Sequence, residues 1–256
     1  MFAAQRIKVI KDIMIKNKSV DIATLTNILN VSDVTVRKDL EKLEQERFLV
    51  KNHGGAVIID SDEPAIKEDF VIENCLEKEQ IASLAYTLVE DGDTIFLGYG
   101  STCYKFAKNL KEKKNITVVT TNVNALNELL PNIRKTILIG GEITYRNGMM
   151  FSAGELTAEN LKGIYVNKSF MSVDAVDLMA GFTVNDVSNL SVLKLIPKLS
   201  KQVILLVDHS KFDKIGFYQI APICSLNCIV SNDKLNDKYK QFFYEKNIKV
   251  LTAFDI

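Results

Sequence analysis

The sequence predicts an α/β protein in two parts: three short helices closed by a β-wing, then a larger, mostly parallel α/β sheet domain. Three observations carry this. Val36, Leu40 and Leu43 recur at i, i+4 and i+7 and lead into two β-rich runs, Phe48-Leu49-Val50 and Val57-Ile58-Ile59, around Gly54-Gly55. Farther along, apolar runs of strand length alternate with amphipathic stretches of helix length. Between the two parts, Asp60-Ser61-Asp62-Glu63-Pro64 is polar, charged and proline-ended, as a linker is. The expected division is 1–59, a linker at 60–75, and 76–256; 256 residues with 47% hydrophobic content suffice for two cores.

In the first part, Ile7, Ile10 and Met14 keep helical spacing, and Asn17-Lys18-Ser19 interrupts it. Asp21 can cap a second helix carrying Ile22, Leu25 and Leu29, and Ser32 a third. Three such helices and a hairpin turned by the two glycines make a winged helix-turn-helix. Ser32, Asp33, Thr35, Arg37 and Lys38 then lie near the start of the third helix, where this motif meets base edges and phosphates. The planar fork of arginine casts Arg37 as base reader and Lys38 as phosphate contact, with Lys51, His53 and Gly54 of the wing beside the DNA backbone. An ordinary helical subdomain with a solvated basic face is the plainer alternative.

Charge is balanced overall. Residues 1–60 hold ten Lys plus Arg against eight Asp plus Glu, net +2, and the remainder 22 against 24. Affinity for double-stranded DNA must therefore come from a local patch of Arg37, Lys38, Lys51 and Arg6, repeated in a homo-oligomer, dimer or tetramer.

The second part shows strands at about 94–98, 116–120, 136–140, 167–173, 203–207 and 227–231, with helices at about 77–90, 103–112 and 186–199. Polar residues cluster after strands: Gly98-Tyr99-Gly100-Ser101-Thr102, Thr120-Thr121-Asn122, Gly140-Gly141 and Asp208-His209-Ser210-Lys211. In an open α/β sheet these carboxyl ends share one rim, so one site can collect all four loops. Gly98–Thr102 is the anion candidate, since glycines admit an oxyanion, two hydroxyls follow, and a helix starting near Cys103 points free N–H groups at it. The loop matches neither a P-loop nor a dinucleotide fingerprint, and a simple connecting turn explains it equally well.

No apolar run approaches the roughly 18–20 residues of a membrane span, and the N-terminus enters the helical pattern directly without a signal-peptide pattern, so a cytoplasmic protein with no membrane partner is expected. Cys75, Cys103, Cys224 and Cys228 lack disulfide-framework spacing, the last two read as buried strand packing, and two histidines offer little to a metal. No cofactor or metal is expected. An enzyme would need a carboxylate pair, and Asp174 and Asp177 meet only if their segment is helical; otherwise they cap the next element. His209 reads as a hydrogen-bonded loop residue.

The stretch Val31-Ser32-Asp33-Val34-Thr35-Val36-Arg37-Lys38-Asp39-Leu40, ending in His53-Gly54-Gly55-Ala56, resembles the N-terminal signature of the DeoR family of bacterial sugar-metabolism repressors. That signature typically reads Val-Ser-x-x-Thr-Ile-Arg-Arg-Asp-Leu and ends in His-Gly-Gly-Ala. Lys78–Ala82, Asp91–Leu97, Val118–Asn122, Gly140-Gly141, Gly181-Phe182-Thr183 and Asp208–Phe212 are similar to the family's effector-binding domain, so the resemblance spans nearly the whole chain. It implies a fold like ribose-5-phosphate isomerase and a phosphorylated sugar or related metabolite that alters affinity for operator DNA. On that resemblance Ser101 and Thr102 hold phosphate, Thr121 and Asn122 border the site, and Lys211 is a phosphate or hydroxyl partner. Tyr99, Gly140, Gly141 and Asp174 complete the expected effector set. The chain departs from the pattern at Gly98, where the family carries a carboxylate, and at Asn189, where it carries a glutamate. The expected function is a DNA-binding transcriptional regulator, a repressor of a carbohydrate-metabolism operon. The alternative is a sugar-phosphate isomerase-like enzyme with a DNA-binding domain.

Overall fold

The computed structural model describes residues 3–17, 19–45, 48–52, 54–58, 73–113 and 115–252. Two compact units divide the chain, Met1–Glu68 and Asp69–Ile256. Most of the expected linker, residues 60–72, lies outside the described residues, as does His53.

The first unit runs α1 (Ala3–Asn17), β1 (Ser19–Asp21), α2 (Ile22–Leu29), α3 (Asp33–Gln45), β2 (Leu49–Asn52) and β3 (Gly55–Ile58). Its core joins Ile10 and Met14 of α1, Leu25 and Leu29 of α2, and Val36, Leu40 and Leu43 of α3 with Val20, Leu49 and Ala56. These are the helical stripes of the sequence, now facing one another. Both caps form: Asp21 Oδ1 accepts the Thr24 N–H at 2.7 Å, and Ser32 Oγ accepts that of Thr35 at 3.4 Å.

Two local readings change. The Asn17–Ser19 interruption feeds a strand, because β1 pairs antiparallel with β3 in a sheet ordered β1-β3-β2 and Val20 enters the core. Of the two glycines only Gly54 belongs to the wing turn, since Asn52 and Gly55 are already paired across it. Gly55 serves close approach instead: a Cβ there would fall 2.2 Å from the Val20 carbonyl oxygen.

The second unit continues α4 (Cys75–Tyr86), β4 (Thr94–Leu97), α5 (Ser101–Asn109), β5 (Thr117–Thr120), α6 (Leu126–Leu129), β6 (Lys135–Leu138), β7 (Glu142–Arg146), β8 (Met149–Ala153), α7 (Gly154–Leu161) and β9 (Val166–Met171). It ends with β10 (Ala175–Asp177), β11 (Gly181–Val184), α8 (Leu190–Leu199), β12 (Ser200–Leu206), β13 (Tyr218–Ala221), β14 (Cys228–Ser231), α9 (Asp237–Glu245) and β15 (Lys249–Thr252). Seven strands form a wholly parallel sheet, ordered β15-β14-β12-β9-β4-β5-β6. The central strands are buried on both faces: Ile95 and Leu97 of β4 join one core with Phe170, Ile204 and Leu206, while Phe96 joins the other with Met171, Val203 and Leu205. Double burial explains the continuous apolar runs in the sequence. Cys228 packs in one of these cores, whereas Cys224 is exposed in a short turn, so only one of the pair is strand packing.

The six expected strands are β4, β5, β6, β9, β12 and β14. The additional elements are short or peripheral: the ribbon β7–β8, a small antiparallel sheet β10-β11-β13, and the edge strand β15. The ribbon did carry a signal, Asn147-Gly148 between Arg146 and Met149, whose positive φ values of 50° and 78° suit a tight two-residue hairpin turn.

We expect Gly55→Ala to lower the stability of the N-terminal unit by about 1–3 kcal/mol, because backbone of both strands must move to admit the methyl group. Chemical unfolding followed through this unit checks it; an unchanged midpoint would mean that β1 and β3 do not approach this closely.

Candidate functional site

On the first unit, α3 presents Asp33, Val34, Arg37 and Lys38 to solvent. Ser32 and Thr35 are partly committed to the helix start, their hydroxyls 2.9 Å apart. Arg37 Nε lies 3.2 Å from Asp33 Oδ1, an exposed pair one turn apart that steadies the guanidinium without burying it. Lys51 folds back onto α3, its Nζ 3.2 Å from Glu44 and 3.4 Å from Glu41, and Glu44 raises its pKa. Gly54 is exposed at the wing tip. Arg6 does not join the patch: Nε and Nη2 donate to the two oxygens of Asp39 at 2.7 and 3.2 Å, tying α1 to α3. Val34 escaped the sequence reading, and its signal was an apolar residue off the Val36–Leu40–Leu43 stripe; it is 63% exposed on the face that carries Arg37 and Lys38.

On the second unit, a cleft of about 550 Å³ opens at the carboxyl ends of the strands. Its place follows from strand order. From β4 the chain adds β5 and β6 on one side, and from β9 it adds β12, β14 and β15 on the other, so the order reverses between neighbouring β4 and β9. The loops leaving those two strands must part there, and a crevice results. Tyr99, Gly100, Ser101 and Thr102 line it from the β4–α5 loop, and Ser172, Val173 and Asp174 from the β9–β10 connection. Lys78 of α4, Lys211, and Tyr145 to Met149 at the ribbon tip complete the wall, with Glu73.

The β4–α5 loop is held from below. Gly100 takes φ 100°, which disfavours a side chain, and α5 begins at Ser101 instead of near Cys103. Buried Asn122 donates Nδ2 to the carbonyls of Gly98 and Gly100 at 3.3 and 3.5 Å. Gly98 packs against β9, where a Cβ would lie 3.1 Å from the Phe170 carbonyl oxygen. Burial pushes the Cys103 thiol up to about 12, so it stays protonated. The Tyr99 ring stacks on Phe151 at 4.3 Å, and burial, then Asp174, raises its hydroxyl pKa. The cations differ in setting. Burial lowers the pKa of Lys78, opposed by Asp208 and reinforced by Lys211. Arg146 stands 3.5 Å from both Asp174 and Asp186.

The expected effector residues thus fall into three groups, one of them away from the cleft. Tyr99, Gly100, Ser101, Thr102, Asp174 and Lys211 line the cleft together, while Gly98 and Asn122 support the loop from beneath. Thr121 is fully buried, its carbonyl bonded to the Ser152 N–H. Gly140 and Gly141 do not line it: the Gly140 carbonyl accepts from Asn160, and a Cβ on Gly141 would meet Thr157 Oγ1 at 1.9 Å, so this pair packs β6 against α7. The Gly140-Gly141 loop is excluded because β6 is the edge strand, remote from the reversal. Sequence reasoning missed Lys78, Arg146 and Ser172; only the Asn-Gly turn marked the ribbon that brings Arg146 in. Asp177 caps the β10–β11 turn, accepting the N–H groups of Met179 and Ala180, and Asp174 accepts that of Asn185, so the two form no helical pair. His209 pairs with Asn232 outside the lining.

A model of the DeoR-like helix-turn-helix domain matches residues 6–62, and one of the DeoR C terminal sensor domain matches residues 73–233. The HTH-type transcriptional regulator IolR of Bacillus subtilis is 32% identical over 250 residues, covering 97% of this chain and 98% of its own. The lactose phosphotransferase system repressor of Lactococcus lactis is 31% identical over 246 residues, covering 93% and 94%. Among solved structures, ribose 5-phosphate isomerase A of Methanocaldococcus jannaschii aligns over 53% of each chain at 21% identity, with a TM-score of 0.38. No helix among the described residues is long and apolar enough to cross a membrane.

The buried amine has a pH signature. With its folded pKa below the unfolded value, charged Lys78 disfavours the fold, and stability should rise as pH climbs from the lowered pKa towards the ordinary lysine value of about 10.4. The difference in unfolding free energy between wild type and Lys78→Met should show that alkaline rise, displaced to higher pH by added inorganic phosphate. A difference flat with pH would remove Lys78 from the buried wall.

Proposed function

The chain belongs to the DeoR family of transcriptional regulators, and from that premise we propose that it represses a carbohydrate-metabolism operon and changes its operator affinity when a phosphorylated sugar or related metabolite fills the cleft. That it is a DNA-binding regulator is the family's shared property; the ligand and the site residues are our reading. The observation that carries it is the convergence of the free N–H groups of α5, the hydroxyls of Ser101 and Thr102, and the ammonium groups of Lys78 and Lys211 on one crevice. Phosphate binds there, and the sugar extends towards Asp174 and the ribbon tip.

The site senses and does not turn its ligand over. A general base must be free to take a proton, and Asp174, the carboxylate in the wall beside the sugar, is held by the Asn185 N–H and faces Arg146, while Asp177 is engaged in a turn. On the DNA side, Arg37 reads a base after exchanging Asp33 for guanine, Lys38 neutralises a phosphate, and Val34 offers an apolar contact to a thymine methyl. Residues 1–59 form the DNA-binding domain and 76–256 the effector domain, joined by the segment at 60–75. The working form is a cytoplasmic homo-oligomer, because one recognition helix reads only a half-site. Coupling requires the effector to bind the DNA-free and DNA-bound forms unequally, since equal affinity shifts nothing.

Two experiments test the halves. Arg37→Ala should cost about 1–3 kcal/mol against the operator and relax sequence preference, whereas Lys38→Ala should weaken all DNA alike and flatten the salt dependence. Operator binding untouched by Arg37→Ala in footprinting would end its assignment as base reader. Thr102→Glu puts a carboxylate where the phosphate belongs, so operator binding should persist while the effector response disappears. A folded Thr102→Glu protein that responds at the wild-type effector concentration would place the phosphate elsewhere.

A further inference from the structure

The ionic groups of the cleft fall into two neighbourhoods. One gathers Lys78, Lys211, buried Asp208 and exposed Glu73 beside the α5 start. Asp208 there is occupied, accepting from Asn74 Nδ2 at 3.2 Å and from the Ser210 N–H at 3.0 Å. In the other, Tyr99, Arg146 and Asp174 line the cleft, and Asp186, outside the lining, pairs with Arg146. In this second group two carboxylates face one guanidinium, a net charge of −1. Both are fixed by backbone, Asp174 by the Asn185 N–H and Asp186 by the Ser188 N–H, each at 2.8 Å. Arg146 lies 3.5 Å from each and makes no closer polar side-chain contact among the described residues. Most of its five donors are left over, on a ribbon tip that lines the cleft.

A second anion brought to this end would meet an existing negative excess. Hydroxyl groups fit both partners: they donate to the carboxylates and accept from the guanidinium. We propose that Arg146 and Asp174, with Asp186 backing the guanidinium, form a hydroxyl-selective end of the cleft, so that the effector is a monophosphate with a neutral polyhydroxylated tail and neither a bisphosphate nor a phosphorylated sugar acid. This rests on reading the cleft as a sugar-phosphate site. The cleft's size, within the roughly 300–1,000 Å³ usual for small-molecule sites, leaves room for such a tail beyond the phosphate.

The test is calorimetry on the full chain with matched pairs: fructose 1-phosphate against fructose 1,6-bisphosphate, glucose 6-phosphate against 6-phosphogluconate, and the same comparison across C3 to C6 sugar and polyol phosphates. Wherever a monophosphate binds, its partner bearing a second anionic group should bind at least tenfold more weakly. Asp186→Asn keeps the acceptor for the Ser188 N–H and neutralises the excess, so the gap should shrink to threefold or less. Arg146→Gln deepens the excess and should widen it, which supplies a reading of opposite sign should the first variant fold poorly. Equal or tighter binding of a bisphosphate or acid, or a gap unmoved in both variants, overturns the proposal while leaving the sugar-phosphate site standing. Absence of binding by every phosphate ester overturns that site and the proposal with it.

Discussion

The reversal of strand order between β4 and β9 is the constraint on which the sensing half of the molecule depends. A parallel sheet whose central strands are buried on both faces leaves little room for polar side chains along them, and Phe96, Phe170, Leu205 and their neighbours fill both sides. Polar chemistry is driven to the rim. Along most of the rim, adjacent crossovers turn the same way and cover the strand ends, but at a reversal they part. Gly98, Gly100 and Asn122 shape the crevice that results: the glycines bring the β4–α5 loop down onto β9, and the amide holds two of its carbonyls.

A second regularity is that several cations of the candidate sites meet carboxylates already. Arg37 has Asp33, Lys51 has Glu41 and Glu44, Arg146 has Asp174 and Asp186, and Lys78 feels Asp208. Exposed pairs such as Arg37–Asp33 contribute little to stability, so the guanidinium can leave the carboxylate at little cost. The balance shapes selectivity, because a ligand must be preferred over a partner that is present already.

Element existence was legible to the extent that burial was simple. Helical stripes in the first unit and continuous apolar runs in the second were read from spacing, since each face of those elements has one destination. The ribbon β7–β8 and the strands β10, β11 and β13 were missed because they are only three to five residues long and lie outside the main sheet, and their burial depends on which neighbour they pair with. Gly55 and Gly141 show the same limit for single residues. Glycine looks alike in a turn and at a close contact, and only the Val20 carbonyl and the Thr157 hydroxyl distinguish them.

By itself, then, the sequence determined the winged helix-turn-helix, the parallel α/β sheet, and the loop Gly98 to Thr102 as an anion candidate, because caps, periodicity and glycine placement act over a few neighbouring residues. Tertiary structure alone decided which loops meet. Strand order, set by packing between residues far apart in the chain, brought Lys78, Arg146 and Ser172 to the crevice and left Gly140 and Gly141 at the sheet edge. It likewise turned Arg6 inward onto Asp39 and away from the basic patch, a choice made by the packing of α1 on α3.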